Sequence, residues 1–400
     1  MSKYVTPAIP VFAALIAACT QQHNETPPCS PIPADSISSI EGVEQLLQSC
    51  VETGAFPGAV LAVGTSDTVL HTLAVGHYGE DDLRSVTDST VYDLASLTKV
   101  IGLTTAAMLL VSEGRLELDQ TLPRFFPELN GKPNGEISIR HLLTHTSGLP
   151  AWRPLHLETE SKAEAIDSVL GATLENAPGT TYTYSDFGAI TLGLIVEHVA
   201  GMPLDVFLEE GVFEPLGMRW TGYRPPPEWR DQIAPTEDDP WRGRVVRGEV
   251  HDENAARLGG VAGHAGLFSN APDLARFARW ILNAYNGTAD STSGIAIGTE
   301  VVRNFVMRQA GPEGSTRALG WGTAYEGSSA GTLLSETSFG HTGFTGTSIW
   351  IDPDKDLFII LLTNRVHPTR ENSAMGWVRP QVADAVVRAV GRAGGKAVRR

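Results

Sequence analysis

The segment Asp93-Leu-Ala-Ser96-Leu-Thr-Lys99 leads into an apolar run that continues from Val100 to Val111. The pattern predicts a buried helix that carries a serine and a lysine at its mouth. Because three residues make nearly one helical turn, Ser96 and Lys99 should point from the same face. A lysine whose pKa is lowered by burial can accept the hydroxyl proton and activate the serine as a nucleophile. The free N–H groups of a helix N-terminus would stabilise an oxyanion that forms beside Ser96.

The S-x-x-K spacing is a weak signal alone, because a surface serine and lysine on an ordinary helix would give the same letters. The composition is that of a globular protein, with 42% hydrophobic and 19% charged residues over 400 residues. This length is enough for a large core or for two lobes that share one. The formal net charge of −16 and the lack of a basic stripe argue against nucleic acid as a partner.

The first residues have the features of an export signal. Lys3 is the only early charge, and an apolar stretch follows from Val11 to Ala18. The small residues before Cys19 resemble the lipobox of bacterial lipoproteins, in which the cysteine becomes the lipidated N-terminus. We therefore predict an export signal over residues 1–18, lipidation of Cys19, a proline-rich tether over residues 19–35 and a periplasmic or cell-envelope location. A plain secretory signal is the alternative, and the membrane would be a partner only through the lipid anchor.

The chain has three cysteines. If Cys19 is lipidated, Cys29 and Cys50 remain as a pair, and an exported protein permits a disulfide between them. The sequence contains no C-x-x-C motif and no Cys/His cluster with metal-ligand spacing. His141 and His145, four residues apart, resemble a pair of metal ligands, but no third ligand is placed to join them. Framework hydrogen bonding is therefore the preferred interpretation, and the sequence implies no metal and no cofactor.

Strand patterns lie at both ends of the chain, and helix patterns lie in the middle. Two early apolar runs separated by a short turn predict an antiparallel hairpin, over residues 57–64 and 69–76. Late apolar runs predict consecutive strands over 319–325, 338–343, 347–352 and 357–363. Helical spacing predicts helices over 36–51, 137–144, 162–174, 187–200, 203–212, 272–285 and 378–398. Residues 222–245 read as a long surface loop.

The simplest fold for this pattern is one sheet assembled from both chain ends with a helical insertion between them, an α/β (α+β) fold. We predict a single domain over residues 36–398. Its sheet lobe would comprise residues 36–113 and 319–398, and its helical lobe residues 114–318.

Three further segments carry groups that would complete a site around the serine and lysine. A tyrosine two residues before a carboxylate at a helix start, Tyr184 and Asp186, would supply a base if its phenol lies beside Lys99. The segment His341-Thr342-Gly343-Phe344 begins a hairpin whose edge would run beside a substrate and lend a backbone N–H. The glycine-rich loop around His264 would line a pocket. The alternatives are a core tyrosine, an ordinary strand end and structural glycine packing.

Together these residues resemble the serine β-lactamase and penicillin-binding protein superfamily, in its class C-like branch of esterases and D-alanyl-D-alanine carboxypeptidases. That family carries S-x-x-K, Y-x-N and [KH]-T-G in this order. The matching segments are Ser96-Leu-Thr-Lys99, Tyr184-Ser-Asp186 and His341-Thr-Gly343. The segments His145–Pro150 and Gly263–Ser269 are also similar to framework segments of that branch. The resemblance implies the β-lactamase/transpeptidase-like fold, with an antiparallel sheet flanked by helices and a mostly helical lobe.

The resemblance also implies a role for each site residue. Ser96 would be the acyl-accepting nucleophile, and Lys99 and Tyr184 would share the proton work; the sequence leaves open which of the two is the base. The backbone N–H groups of Ser96 and Phe344 would form the oxyanion hole. The residues expected to contact the substrate are Asp186, His341, Thr342, Gly343 and His264.

Two positions depart from the family pattern. His341 stands where the third motif often carries lysine, and a histidine is only partly charged near neutral pH. Asp186 replaces the usual asparagine, and a carboxylate only accepts hydrogen bonds. Asp186 would instead pair with Lys99 and hold it charged, which shifts base work to Tyr184. Both changes argue against a dedicated β-lactamase.

The predicted function is that of an exported serine hydrolase that forms an acyl-enzyme on Ser96 and releases it to water. The expected substrates are D-alanyl peptides or small esters, with weak β-lactam hydrolysis as a side activity. The alternative from another class is a non-catalytic protein that uses the fold to bind cell-wall fragments. A metal-dependent hydrolase is a weaker alternative, and the oligomeric state is unknown.

Overall fold

The structure is a computed structural model that describes residues 37–288 and 294–397. The predicted export signal, Cys19 and Cys29 lie outside these ranges, so the lipidation, the disulfide and the domain bounds stay predictions. The strands are β1 (Gly58–Gly64), β2 (Val69–Gly79), β3 (Asp82–Ser85), β4 (Tyr92–Asp93), β5 (Gly222–Tyr223), β6 (Asp238–Asp239), β7 (Arg244–Val245), β8 (Leu267–Ser269), β9 (Gly322–Thr323), β10 (Phe339–Thr342), β11 (Ser348–Asp352) and β12 (Leu357–Thr363). The α-helices are α1 (Ile40–Glu52), α2 (Thr105–Ser112), α3 (Ile139–Leu143), α4 (Leu155–Glu158), α5 (Lys162–Leu170), α6 (Asp186–Ala200), α7 (Leu204–Leu208), α8 (Glu214–Leu216), α9 (Glu253–Arg257), α10 (Ala271–Asn286), α11 (Thr299–Val306) and α12 (Met375–Ala397).

The main sheet joins both ends of the chain. Its strands run in the order β3-β2-β1-β12-β11-β10-β9, and every neighbouring pair is antiparallel. The predicted early hairpin is β1 and β2. Strand β1 also pairs with β12, from Ala59 opposite Thr363 to Gly64 opposite Phe358. This topology confirms the predicted fold class, a sheet built from both chain ends around a helical insertion.

Both faces of the central strands are buried, because helices cover each side of the sheet. Alternate residues of a strand point to opposite faces. Ala59, Leu61 and Val63 therefore pack with α1 and α12, whereas Val60 and Ala62 pack into the core of the helical lobe. This two-sided burial explains why β1 and β12 are continuous apolar runs rather than alternating ones.

The segment that carries Ser96 is not one regular α-helix, so the helix expected there is wrong in detail. A 3₁₀ turn covers Ala95–Leu97, a π-helical stretch covers Lys99–Thr104, and α2 begins only at Thr105. π-Helical stretches are rare and occur often at functional sites. The run Ala95–Ser112 is long and apolar enough to cross a bilayer, but 83% of it is buried inside the protein, as in the core helix of a folded domain.

Residues 222–245, expected to form a surface loop, are built into the protein. They contain β5, a 3₁₀ turn at Pro227–Gln232 and the two-stranded ribbon of β6 and β7. Within this segment Glu237 is buried, and its carboxylate contacts both His251 and Arg370. Most of the other charged side chains are exposed, as expected of a surface segment, but the charge-rich composition did not indicate the short strands or the buried acids Glu237 and Asp239.

Candidate active site

A buried carboxylate fixes the turn that carries the nucleophile, residues 93–97. Asp93 lies at the end of β4, which pairs with β8 in a small sheet. Its Oδ1 accepts the N–H of Ala95 at 2.8 Å, and its Oδ2 accepts the N–H of His251 at 2.6 Å. Burial raises the pKa of Asp93, and the two N–H donors oppose that rise. Ala95 is held at a φ of +47°, a conformation that non-glycine residues rarely adopt.

Lys99 is the centre of the site. Its side chain is buried, and Nζ donates to Ser96 Oγ at 3.0 Å and to the carbonyl oxygen of His264 at 3.0 Å. Asp186 Oδ1 lies 2.7 Å from the same Nζ. The serine hydroxyl and the carboxylate therefore share one ammonium group, and Ser96 and Lys99 lie on one face as their spacing predicts.

The lowering of the Lys99 pKa expected from burial alone is wrong, whereas the expected pairing of Lys99 with Asp186 is present. Burial does lower the pKa of this ammonium, but the attraction of Asp186 and Tyr184 raises it by more, and the net pKa lies above the ordinary value. Asp186 stands in the first turn of α6, where the helix N-terminus favours a carboxylate. Lys99 is therefore held as a cation at neutral pH and is not a ready proton acceptor.

Tyr184 is surrounded by cations and imidazole rings. Lys99 Nζ lies 5.0 Å from the centroid of the tyrosine ring, and the guanidinium carbon of Arg317 lies 5.1 Å from it. The ring centroids of His145 and His341 lie 4.5 Å and 5.9 Å from that of Tyr184. Both cations therefore lie within cation–π distance of the phenol ring. This contact brings Tyr184 beside Lys99, as its proposed share in the proton transfer requires.

The two histidines that face Tyr184 are neutral. Burial lowers the pKa of His145 and of His341 well below the ordinary value, and the charges of Arg317 and Lys99 lower both further. A neutral imidazole does not supply a fixed cation for a substrate carboxylate. Another residue must provide that charge if the substrate is anionic.

Hydrogen bonds orient both imidazole rings. His341 Nδ1 lies 2.8 Å from the carbonyl oxygen of Thr342, so this nitrogen carries the proton and donates it. His145 Nδ1 accepts the N–H of Ser185 at 3.1 Å, which leaves its proton on Nε2. Ser185 is in turn the N-cap of α6. The rings that contact Tyr184 are therefore fixed in orientation by the backbone.

The turn between β10 and β11, residues 343–347, lies against the nucleophile turn. Thr347 Oγ1 donates to the carbonyl oxygen of Leu94 at 3.0 Å. A side chain on Gly343 would collide with the same carbonyl oxygen and with the Thr347 hydroxyl, so this position requires glycine. Among the backbone hydrogen bonds of turns, loops and caps in residues 37–288 and 294–397, none is donated by the N–H of Ser96 or of Phe344. The oxyanion hole expected from these two N–H groups stays a prediction.

His264 does not line the substrate side, contrary to expectation. It is 1% exposed, its Nε2 lies 2.9 Å from Asp252 Oδ1, and its carbonyl rather than its ring contacts Lys99. The glycine-rich loop packs closely behind Lys99, which leaves the imidazole no access to the cleft. His141 forms a capping box with Ser138 at the start of α3. In the part of the chain that the structure describes, no group of three His, Cys, Asp or Glu side chains is placed to hold a metal ion.

Arg317 is a site residue that the sequence did not reveal. Its Nε donates to the Tyr182 hydroxyl at 3.0 Å, and its guanidinium lies over the rings of Tyr182 and Tyr184. Among the described residues, no carboxylate forms an ion pair with Arg317. A half-buried guanidinium without a carboxylate partner suits an anionic group of a ligand. No motif marks a single arginine, so sequence reasoning had no signal for it.

Sequence relatives match most of the chain. The family model described as Beta-lactamase matches residues 43–384. A protein of Escherichia coli (strain K12) named "Putative D-alanyl-D-alanine carboxypeptidase" is 36% identical over 317 residues, which cover 70% of each chain. A protein of Bacillus subtilis (strain 168) named N-acetylmuramyl-L-alanine amidase is 32% identical over 373 residues, which cover 83% of this chain and 82% of that one.

Solved structures share the fold. EstCE1, described as a hydrolase with promiscuous acyltransferase activity, superposes with a TM-score of 0.69 and 23% identity, covering 86% of this chain and 97% of its own. The octameric penicillin-binding protein homologue from Pyrococcus abyssi gives a TM-score of 0.68 and 22% identity, covering 88% of this chain and 77% of its own. At these identities the likeness concerns the fold alone.

Proposed function

The chain belongs to the serine β-lactamase and penicillin-binding protein superfamily and is a serine hydrolase, and from that premise we propose that it hydrolyses D-alanyl peptides through an acyl-enzyme on Ser96. The observation that carries the proposal is the single buried ammonium group of Lys99, which contacts both Ser96 Oγ and Asp186. A buried cation in contact with a half-exposed serine hydroxyl is an arrangement for nucleophilic catalysis.

Acylation begins when Ser96 Oγ attacks the carbonyl carbon of the scissile bond. In this proposal Tyr184 acts as a phenolate flanked by Lys99 and Arg317; it accepts the hydroxyl proton, and the backbone N–H groups of Ser96 and Phe344 bind the oxyanion. Tyr184 then gives this proton to the departing amine as the C–N bond breaks, which leaves an ester on Ser96. A water molecule then attacks the ester and gives a proton to Tyr184. Tyr184 passes this proton to Ser96 Oγ as the ester bond breaks and the acid product leaves.

The charges at the site favour an acyl donor that ends in a carboxylate. Because His341 is neutral, the guanidinium of Arg317 is the group suited to receive that carboxylate. D-alanyl peptides carry a carboxylate one residue beyond the scissile bond, and the name of the Escherichia coli relative supports this substrate class. Small esters lack the carboxylate and would be alternative substrates of the same serine. Weak β-lactam hydrolysis would be a side activity.

Labelling with a fluorescent fluorophosphonate tests the nucleophile. We expect the wild type to be labelled and Ser96→Ala to be unlabelled. Ser89→Ala is the matched control, because Ser89 is an exposed serine outside the site and its loss should leave labelling unchanged. Labelling that survives in Ser96→Ala would remove Ser96 as the nucleophile. A wild type that is unlabelled and does not turn over, but binds cell-wall fragments, would favour the non-catalytic alternative.

A pair of peptides tests the carboxylate. One is an acylated D-alanyl-D-alanine peptide with a free carboxylate, and the other is its C-terminal amide. We expect Arg317→Gln to lower the kcat/KM ratio of acid to amide about 10-fold or more, because a charge-assisted hydrogen bond is worth about 1.5–3 kcal/mol. Arg303→Gln is the control, since Arg303 also stacks on a tyrosine, Tyr285, and should leave the ratio unchanged. An unchanged ratio in Arg317→Gln would contradict the assignment.

Export and lipidation rest on the N-terminal pattern alone. The proposed anchor is a lipid on Cys19, which would hold the enzyme at the cell envelope facing its substrate. Radiolabelled palmitate should be incorporated by the wild type and by Cys29→Ala but not by Cys19→Ala. Incorporation that persists in Cys19→Ala would contradict the lipoprotein assignment.

A further inference from the structure

Two arginines converge on the turn that carries the Phe344 amide. Arg379, in α12, donates through one Nη to the carbonyl oxygen of Gly343 at 2.7 Å and to that of Thr347 at 3.0 Å. Arg365, which follows β12, donates from Nε to the carbonyl oxygen of Phe344 at 2.8 Å. Its guanidinium also lies 4.4 Å from the centroid of the Phe344 ring. The turn is therefore held by cations.

No carboxylate compensates the charge of Arg379 among the described residues. Its Nε is buried and has no hydrogen-bond partner there. Burial lowers the pKa of Arg379 to about 9, and repulsion from Arg365 contributes to this, so the side chain remains a cation at neutral pH. Withdrawing an unpaired cation from water costs free energy that a neutral side chain would not cost. A neutral donor could bind the same carbonyl oxygens at a lower cost, so a purely structural contact does not explain the positive charge of Arg379.

The chemistry of the peptide group connects this charge to the site. The carbonyl of Gly343 and the N–H of Phe344 belong to one planar peptide, in which resonance joins oxygen, carbon and nitrogen. A cation hydrogen-bonded to the oxygen withdraws electron density from the nitrogen and strengthens its N–H as a donor. The same guanidinium adds positive potential close to the place where the oxyanion forms.

We propose that Arg379 is a positioning residue that polarises the Gly343–Phe344 peptide and thereby strengthens the oxyanion hole. The inference rests on the proposed function, which assigns the Phe344 N–H to the oxyanion. Arg379 contacts neither the substrate nor the reacting atoms, and no proton leaves it. Its effect falls on acylation and on the binding of tetrahedral transition-state mimics.

Three substitutions separate the charge of Arg379 from its hydrogen bonds. Arg379→Lys keeps the charge, Arg379→Gln keeps an N–H donor without the charge, and Arg379→Met removes both. We expect the rate constant for acylation by p-nitrophenyl acetate to fall about 10-fold in the Gln and Met variants, a part of the 10²–10³-fold loss that removal of one oxyanion-hole donor causes. The Lys variant should keep most of the wild-type rate.

Two further readouts report on the oxyanion hole itself. The ester carbonyl of a ¹³C-labelled acyl-enzyme absorbs at lower infrared frequency when strong donors bind its oxygen. We expect this band to move to higher frequency in Arg379→Gln and Arg379→Met, and to stay near the wild-type position in Arg379→Lys. The affinity for a boronic acid that forms a tetrahedral adduct on Ser96 should fall by the same factor as the acylation rate.

Arg257→Gln is the matched control. Arg257 also donates to two backbone carbonyls, those of Glu160 and His156, each at 2.8 Å, and its Nε is also buried without a partner among the described residues. It should lower thermal stability without changing acylation. Arg379→Gln as fast as the wild type, or Arg379→Lys as slow as Arg379→Met, would overturn the inference. A wild type that does not acylate on Ser96 would instead refute the proposed function, so the two failures are distinguishable.

Discussion

Asp186→Asn separates charge from shape at the centre of the site. The substitution keeps the size of the side chain and leaves Lys99 Nζ without the carboxylate that lies 2.7 Å away. At an effective dielectric constant of about 20, Coulomb's law gives an attraction of about 6 kcal/mol between unit charges at that distance. Desolvation offsets part of this, and loss of one partner of a buried pair costs about 3–5 kcal/mol. Because the Asp186 side chain is 18% exposed, we expect Asp186→Asn to lower the free energy of unfolding by an amount at the lower end of that range.

The same substitution should change how acylation depends on pH. Without the carboxylate, burial becomes the dominant influence on Lys99 and its pKa falls. The charged form of a lysine is lost as pH rises through its pKa, so a lowered pKa makes the neutral amine available between about pH 7 and 10. The acylation rate of the variant should therefore rise with pH across this range. In the wild type Lys99 stays charged throughout and contributes no such rise.

Urea denaturation measures the loss of stability in Asp186→Asn. Stopped-flow acylation by p-nitrophenyl acetate from pH 6 to 10 measures how its acylation rate depends on pH. Asp119→Asn is the matched control, because Asp119 pairs with Arg140 at 2.8 Å but is 79% exposed. An exposed pair of this kind contributes about 0.2–1 kcal/mol. Equal stability losses in the two variants, together with an unchanged pH profile in Asp186→Asn, would refute the assignment of Lys99 as a cation held by Asp186.

Four other substitutions test the groups around the nucleophile. Tyr184→Phe should slow acylation by about 10²-fold or more if the phenol is the base, and acylation at the normal rate would contradict that role. His145 and His341 are neutral when folded, whereas the unfolded chain takes up a proton on each below about pH 6.5. Each of these two buried imidazoles should therefore lower the free energy of unfolding by up to about 1.4 kcal/mol for every pH unit below pH 6.5. Replacing either by asparagine should flatten the urea-measured stability between pH 6.5 and 5, and an unchanged slope would count against its burial as a neutral ring. Gly343→Ala should lower both the thermal midpoint and the acylation rate, because its Cβ would meet packed atoms. Gly211→Ala, in open space within a helical stretch, should lower neither, and equal losses in the two variants would contradict the close packing at Gly343.

The strands were predictable where each is a short apolar run between turn residues. The prediction over residues 357–363 coincides with β12, because that strand is buried on both faces along its whole length. The prediction over 319–325 was too long, since only the two residues of β9 pair in the sheet. Gly320 has a φ of +82°, a left-handed conformation incompatible with a continuous strand.

Only the site residues that belong to the three ordered motifs were predictable from the sequence. Spacing and order brought Ser96, Lys99 and Tyr184 together, and the aspartate at position 186 predicted that Lys99 is held charged. The lowered lysine pKa expected from burial alone was wrong, because the attraction of Asp186 and Tyr184 outweighs burial. Arg317 and Arg379 had no signal in the sequence, since a single arginine has neither periodicity nor spacing. Their roles arise from what the tertiary structure places around them, a pair of tyrosines for one and two backbone carbonyls for the other.

The pairing of β1 with β12 determines when the enzyme can first act. Ala59 meets Thr363 across the sheet, so the strands that close it are separated by 363 − 59 = 304 residues of chain. Contacts between such distant segments form late, because the intervening chain must be ordered first. A nascent or truncated chain that ends before β10 contains Ser96 but lacks the Phe344 amide. The protein should therefore be synthesised as an inert chain, and its hydrolytic activity should begin only after its C-terminal strands have been added.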